Sequence, residues 1–115
     1  MRFRMPAEWE PHRATWVAWP RHEPDWPGKL EAIPWVYAEI IRALADHETV
    51  EVLCHDQDVM DRARVVLDAH AVRHDRVTLH DVATDRVWLR DSAPTGVIDA
   101  QGDLVLLDWA FNGWA

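Results

Sequence analysis

The sequence predicts an α/β protein with mixed strand directions, built from alternating strands and helices that give way to a run of short strands. Three observations carry this reading. Two segments repeat apolar residues at intervals of three and four, several short runs alternate or are rich in β-branched residues, and Asp99-Ala100-Gln101-Gly102 reads as a hairpin turn between the last two.

The opening MRFRMPAEWEPH is irregular and punctuated by proline. ATWVAWP, residues 14–20, alternates as a short strand stopped by Pro20, and RHEPDWPG is a loop. From Lys29 to about His47, Leu30, Ile33, Val36, Tyr37, Ile40, Ile41 and Leu44 form a helical face. Pro34 is tolerated only near the first turn, which points to a start at Ile33. TVEVLC, Thr49 to Cys54, is a strand. A second helix opens with Asp56 or Asp58 as its cap and repeats Val59, Ala63, Val66 and Leu67. RVTLHDV is the third strand, and VWLR, PTGVID and GDLVLLD follow as short strands.

The chain has 115 residues, enough for one small domain. Its 49% hydrophobic and 28% charged residues are ordinary for a globular protein. Eight tryptophans are many for this size, so some are expected to line a pocket or an interface. A net charge of −8 opposes binding to nucleic acid or anionic membrane; it serves solubility and mildly favours a cationic ligand. One cysteine excludes an internal disulfide. With no signal peptide or long apolar run, the expected compartment is the cytoplasm.

The stretch VWLRDSAPTGV raises the chemical question. In a strand, Trp88 and Arg90 face one side and Leu89 and Asp91 the other, unless the chain turns at Ser92-Ala93-Pro94. A carboxylate beside a turn can accept paired hydrogen bonds from a planar guanidinium while an aromatic ring stacks on the same cation. Equally, Asp91 can cap backbone N–H groups of the turn or pair with Arg90. The residues alone leave both readings open.

MPAEWEPHRATWVAWP at Met5 to Pro20, WLRDSAPT at Trp88 to Thr95 and DWAFNGW at Asp108 to Trp114 together resemble the amino-terminal part of the agmatine deiminases, within the bacterial-type peptidylarginine deiminase family. The resemblance implies a pentein fold, a propeller of five related α/β modules. This chain then supplies the first module and the start of the second, with mixed short strands and two helices, in a complete enzyme about three times its length. Residues 1–115 are accordingly expected to be the amino-terminal part of a single domain, truncated at Ala115.

In that family a cysteine thiolate attacks the guanidinium carbon and ammonia leaves with histidine as proton donor. Water then releases the covalent thiouronium as a ureido product, so agmatine becomes N-carbamoylputrescine, with no metal or organic cofactor. By resemblance, Asp91 matches the first guanidinium-binding acid and Trp88 the aromatic that packs on the substrate. Trp109 and Asn112 match the pocket wall, and Asp25-Trp26 an entrance segment. The segments with the nucleophile, the histidine and the second acid are not in this chain, which implies an inactive half-site. The family usually has glycine where this chain has Ala93, which strains the turn if φ there is positive.

Cys54 belongs to the apolar alternation Val50, Val52, Cys54, and reads as a buried structural thiol rather than a nucleophile. His70 and His74 have helical metal-pair spacing but read as solvated histidines, and Asp56, Asp58 and Asp61 as helix-start acids. Two other functions remain in view: a deiminase of peptidyl arginine, and a non-catalytic module that binds cations or partners through its tryptophans. A module taken from a closed ring is also expected to self-associate through its exposed face.

Overall fold

The computed structural model describes residues 2–112, and the chain divides into two compact units, residues 12–87 and residues 1–11 with 88–115. The end of the third resemblance motif, residues 113–114, lies outside the described residues, as does residue 115.

In the unit of residues 12–87, β1 (Ala14–Ala18), β2 (Thr49–Cys54) and β3 (Val77–Asp81) form a parallel sheet in the order β1-β2-β3, with Val17 opposite Val52 and Val52 opposite Leu79. Parallel neighbours need a crossover, and α1 (Ile33–Ala45) and α2 (Gln57–Ala69) supply the two. Helix α1 begins at Ile33 because Pro34, which has no N–H to donate, fits only where no intrahelical partner is needed. Of the two candidate caps of α2, Asp56 holds the position: its carboxylate accepts from the Val59 N–H at 2.8 Å.

Helix α2 ends in a left-handed turn at Ala71, φ 54°, with the Val72 N–H donating to the Leu67 carbonyl and the Ala71 N–H to the Asp68 carbonyl, both at 3.1 Å. This arrangement normally selects glycine at the left-handed position. Val72, the residue that follows, joins the core.

Both helices pack on one face of the sheet. Ala38, Ile41 and Ala45 from α1, Val59, Met60, Ala63 and Leu67 from α2, and Val50, Val52 and Cys54 from β2 form one buried cluster. Alanines at the helix contacts let the backbones approach closely. The alternation of TVEVLC is therefore real in space: every second residue is buried. Its opposite face carries Glu51, which meets His80 Nε2 at 2.7 Å, and His80 in turn stacks on Trp16 with ring centroids 5.3 Å apart.

In the other unit, β4 (Thr95–Ile98) and β5 (Leu104–Leu107) form an antiparallel hairpin. The Asp99 carboxylate closes its turn by accepting from the Gln101 and Asp103 N–H groups at 2.8 and 2.9 Å, and Gly102 takes φ 91°. Arg4 extends this sheet, exchanging two 2.8 Å backbone hydrogen bonds with Ile98.

The strand expected at VWLR is absent. Leu89–Ser92 form a one-turn helix, α3, in which the Asp91 N–H donates to the Trp88 carbonyl and the Ala93 N–H to that of Leu89. Four residues alternate as readily by accident as by design, and Ser92, whose hydroxyl returns to the Trp88 carbonyl at 3.3 Å, favours a turn. Among the described residues the α-helices are thus three, not two, and the predicted opposition of Arg90 and Asp91 across a strand does not hold.

Candidate functional site

The first motif, residues 5–20, is divided between the two units: its residues 5–11 belong with WLRDSAPT and the described part of DWAFNGW, and its residues 12–20 with the unit of residues 12–87. Arg4 ties the amino-terminal segment to the hairpin, and its guanidinium grips both Glu10 carboxylate oxygens at 2.9 and 2.8 Å. That hydrogen bond holds the Glu10 carboxyl below the usual carboxylate range. A further ion pair joins Arg90 to Glu8 at 2.8 Å, between two well-exposed side chains.

Asp91 does not pair with Arg90, and the amino-terminal end of α3 has no side-chain cap. Its carboxylate has no hydrogen-bond or ion-pair partner among the described residues and is exposed. Trp88, at the cap position of α3, is 52% exposed, which leaves much of its ring free for a ligand. Trp109 is 65% exposed and donates its indole N–H to Thr95 Oγ1 at 3.0 Å, which orients the ring. Asn112 is exposed in the same unit. Ala93 sits at φ −80°, ψ 156°, an extended conformation that any residue adopts, so alanine causes no strain there.

Asp25 and Trp26 belong to the other unit. Asp25 ends a one-turn 3-10 segment, Glu23–Asp25, and its side chain is only 10% exposed. One oxygen lies 3.4 Å from Arg86 Nε, while the other, and the indole nitrogen of Trp26, are buried without a hydrogen-bond partner. In the same unit, a cleft of about 750 Å³ is lined by Trp19, Arg21, Trp35, His55, Val59 and Val66 among others.

Sequence reasoning missed Arg21, His55 and Arg86. The first two hold main-chain atoms of Thr84, and no residue pattern announces a side chain whose partner is backbone.

Cys54 is fully buried in the core, and burial pushes its thiol up to about 11. It is the wrong kind of environment for a nucleophile, which needs thiolate and access. His70 pairs with Glu39 at 2.8 Å and His74 with Asp68 at 2.6 Å, so their shared spacing gathers no common ligand. Among the described residues, no group of three or more His, Cys, Asp or Glu could hold a metal ion, and no helix is long and apolar enough to cross a membrane.

An α/β fold that carries the three motif segments in this order along the chain defines a class. The chain matches the model of the Porphyromonas-type peptidyl-arginine deiminases over residues 4–115, and it belongs to that family. Agmatine deiminase of Pseudomonas aeruginosa (strain LESB58) is 38% identical over 112 residues, covering 97% of this chain and 29% of that protein. The agmatine deiminase of Ectopseudomonas mendocina (strain ymp) is 36% identical with the same coverage. Among solved structures, agmatine deiminase of Enterococcus faecalis superposes with a TM-score of 0.81 at 26% identity, over 97% of this chain and 29% of that one. The C. jejuni agmatine deiminase gives 0.79 at 22% identity, and shares the fold. The chain spans about a third or less of the length of each of these relatives.

Proposed function

We propose that this chain is the guanidinium-binding part of a deiminase that hydrolyses agmatine to N-carbamoylputrescine and ammonia. It is the first module and the start of the second in a five-module propeller. The observation that carries the proposal is the uncommitted carboxylate of Asp91, on a helical turn that it does not cap and beside an arginine that is engaged elsewhere. An ionised carboxylate offers only acceptors, and a guanidinium offers only donors in a planar fork, so the two match in charge and in geometry. Trp88 covers the face of the cation, where its ring quadrupole attracts it, and Trp109 with Asn112 forms the pocket wall.

In this role Asp91 does not make or break a bond. It fixes the rotation of the guanidinium so that a thiolate supplied by the remainder of the enzyme meets the central carbon in line. The relatives named agmatine deiminase favour a free guanidine as substrate over peptidyl arginine. The experiment is to supply the complete protein with agmatine and with a blocked arginyl peptide, and to measure ureido product. Product from agmatine at far higher kcat/KM supports the proposal; preference for the peptide transfers it to the peptidylarginine class.

A further inference from the structure

The cleft in the unit of residues 12–87 takes its walls from residues directly after β1, from residues directly after β2, and from α1 and α2. That is the carboxyl side of two neighbouring parallel strands, where ligands of parallel α/β sheets bind. Its volume of about 750 Å³ lies within the range of about 300–1,000 Å³ that small-molecule sites occupy. Buried Trp19 and Val59, with exposed Trp35 and Val65, give it largely apolar walls.

Arg21 is the charge in this cleft that lacks a counter-charge. Its half-buried guanidinium donates from Nη2 to the Thr84 carbonyl at 2.6 Å, a neutral acceptor, and Nε is buried without a hydrogen-bond partner. No carboxylate pairs with it among the described residues. The other polar groups of the lining are answered already: Arg62 pairs with Asp58 at 3.0 Å, the Asp56 carboxylate accepts from the Val59 N–H at 2.8 Å, and His55 brings Nδ1 to 2.7 Å from the Thr84 carbonyl. Glu31 is exposed, where water and salt screen its charge. A cation drawn partly out of water without an anion is costly, and a carboxylate is the group whose two oxygens match the planar fork of a guanidinium.

We propose that the cleft binds a small organic carboxylate with a flat apolar body, its carboxylate on Arg21 and its body against Trp19 and Trp35. The site lies wholly within one unit, is independent of the guanidine reading, and takes a ligand of the opposite charge to agmatine. A flat ring gains from stacking on indole beyond the area it buries. With a net charge of −8 the chain does not draw anions from a distance, so the local guanidinium carries the selectivity for a carboxylate.

The test measures calorimetric binding of three probes with one ring system, 2-naphthoate, 2-naphthamide and 2-naphthylmethylamine, to the complete protein. 2-Naphthoate is expected to bind with Kd on the order of 1 mM or below, at least about tenfold tighter than the neutral amide, with the amine weakest. On adding 2-naphthoate, amide hydrogen exchange is expected to slow in residues 19–21, 30–35 and 55–59. Arg21→Met is expected to bring the naphthoate-to-naphthamide ratio near one, and Trp35→Ala, at an exposed position, to weaken both probes severalfold with the ratio kept. No saturable binding of 2-naphthoate at millimolar concentration, or equal binding of all three probes, overturns the proposal. So does a ratio that survives Arg21→Met, or protection that falls outside those segments. If Arg21→Met does not fold, the wild-type ratio, the exchange pattern and Trp35→Ala decide by themselves.

Discussion

Cys54 and Asp91 are both reactive residue types in opposite surroundings, one buried and one exposed. Cys54 is enclosed by β2, α1 and α2, and burial raises its thiol from 9.0 to about 11. A thiol held protonated in the fold contributes stability that is present below its ordinary value. That contribution is lost as pH rises through the folded value, because the unfolded chain sheds the proton first. The folded protein is therefore expected to lose stability between about pH 9 and 11, and Cys54→Ala to flatten that fall. At neutral pH, iodoacetamide should label Cys54 only as fast as the protein opens. Rapid labelling of the native protein would contradict the burial. The sequence already indicated this thiol's place, since its period-two spacing from Val50 and Val52 puts it on the core face. Asp91 was not decidable in the same way, because a carboxylate next to Arg90 pairs or not according to where Glu8 lies, and Glu8 is 82 positions away.

Among the elements, those with a period over several residues were legible, as was the hairpin turn that its Asp and Gly announce, while the four-residue VWLR was not. Helix α1 begins where Pro34 allows, β2 spans the alternating TVEVLC, and α2 opens at an aspartate placed to accept from its third residue. VWLR failed because four residues carry too little period to separate a strand from a helical turn. Likewise hidden was the end of α2, where Ala71 occupies a left-handed conformation with nothing in its side chain to announce it. That site makes a prediction. The conformation costs an ordinary L-residue roughly 1–2 kcal/mol, part of which glycine returns through its greater freedom when unfolded. Ala71→Gly is thus expected to stabilise by about 0.5–1 kcal/mol, a rise in Tm of a few degrees for a domain this small. A lower Tm would mean that the turn is not left-handed in solution.

At the scale of the whole molecule, the resemblance read in the motifs gave the family, and the fold agrees with solved members of it. What composition alone offered was weaker: an excess of tryptophan, and acid over base. The tryptophans divide between burial and surface. Trp19 is in the core, while Trp35, Trp88 and Trp109 are exposed along with Leu104, Leu106 and Phe111. So much exposed apolar surface on a small chain favours association, because covering it removes area worth roughly 25 cal/mol per Å² from water. The 115-residue chain is expected to sediment as dimers or larger species whose proportion rises with concentration. A monomer unchanged at high concentration would count against that.

The central claim is that Asp91 holds one edge of a guanidinium, and one substitution isolates it. In the complete protein Asp91→Asn keeps the shape and an exposed position but replaces two charged acceptor oxygens by a neutral amide that carries donors of its own. A charge-assisted hydrogen bond contributes roughly 1.5–3 kcal/mol, and misalignment of the cation adds to the loss. The account predicts that kcat/KM for agmatine falls by at least about a hundredfold, with Tm unchanged since the carboxylate caps nothing. Measured on one preparation, a normal kcat/KM, with or without a lower Tm, would contradict it.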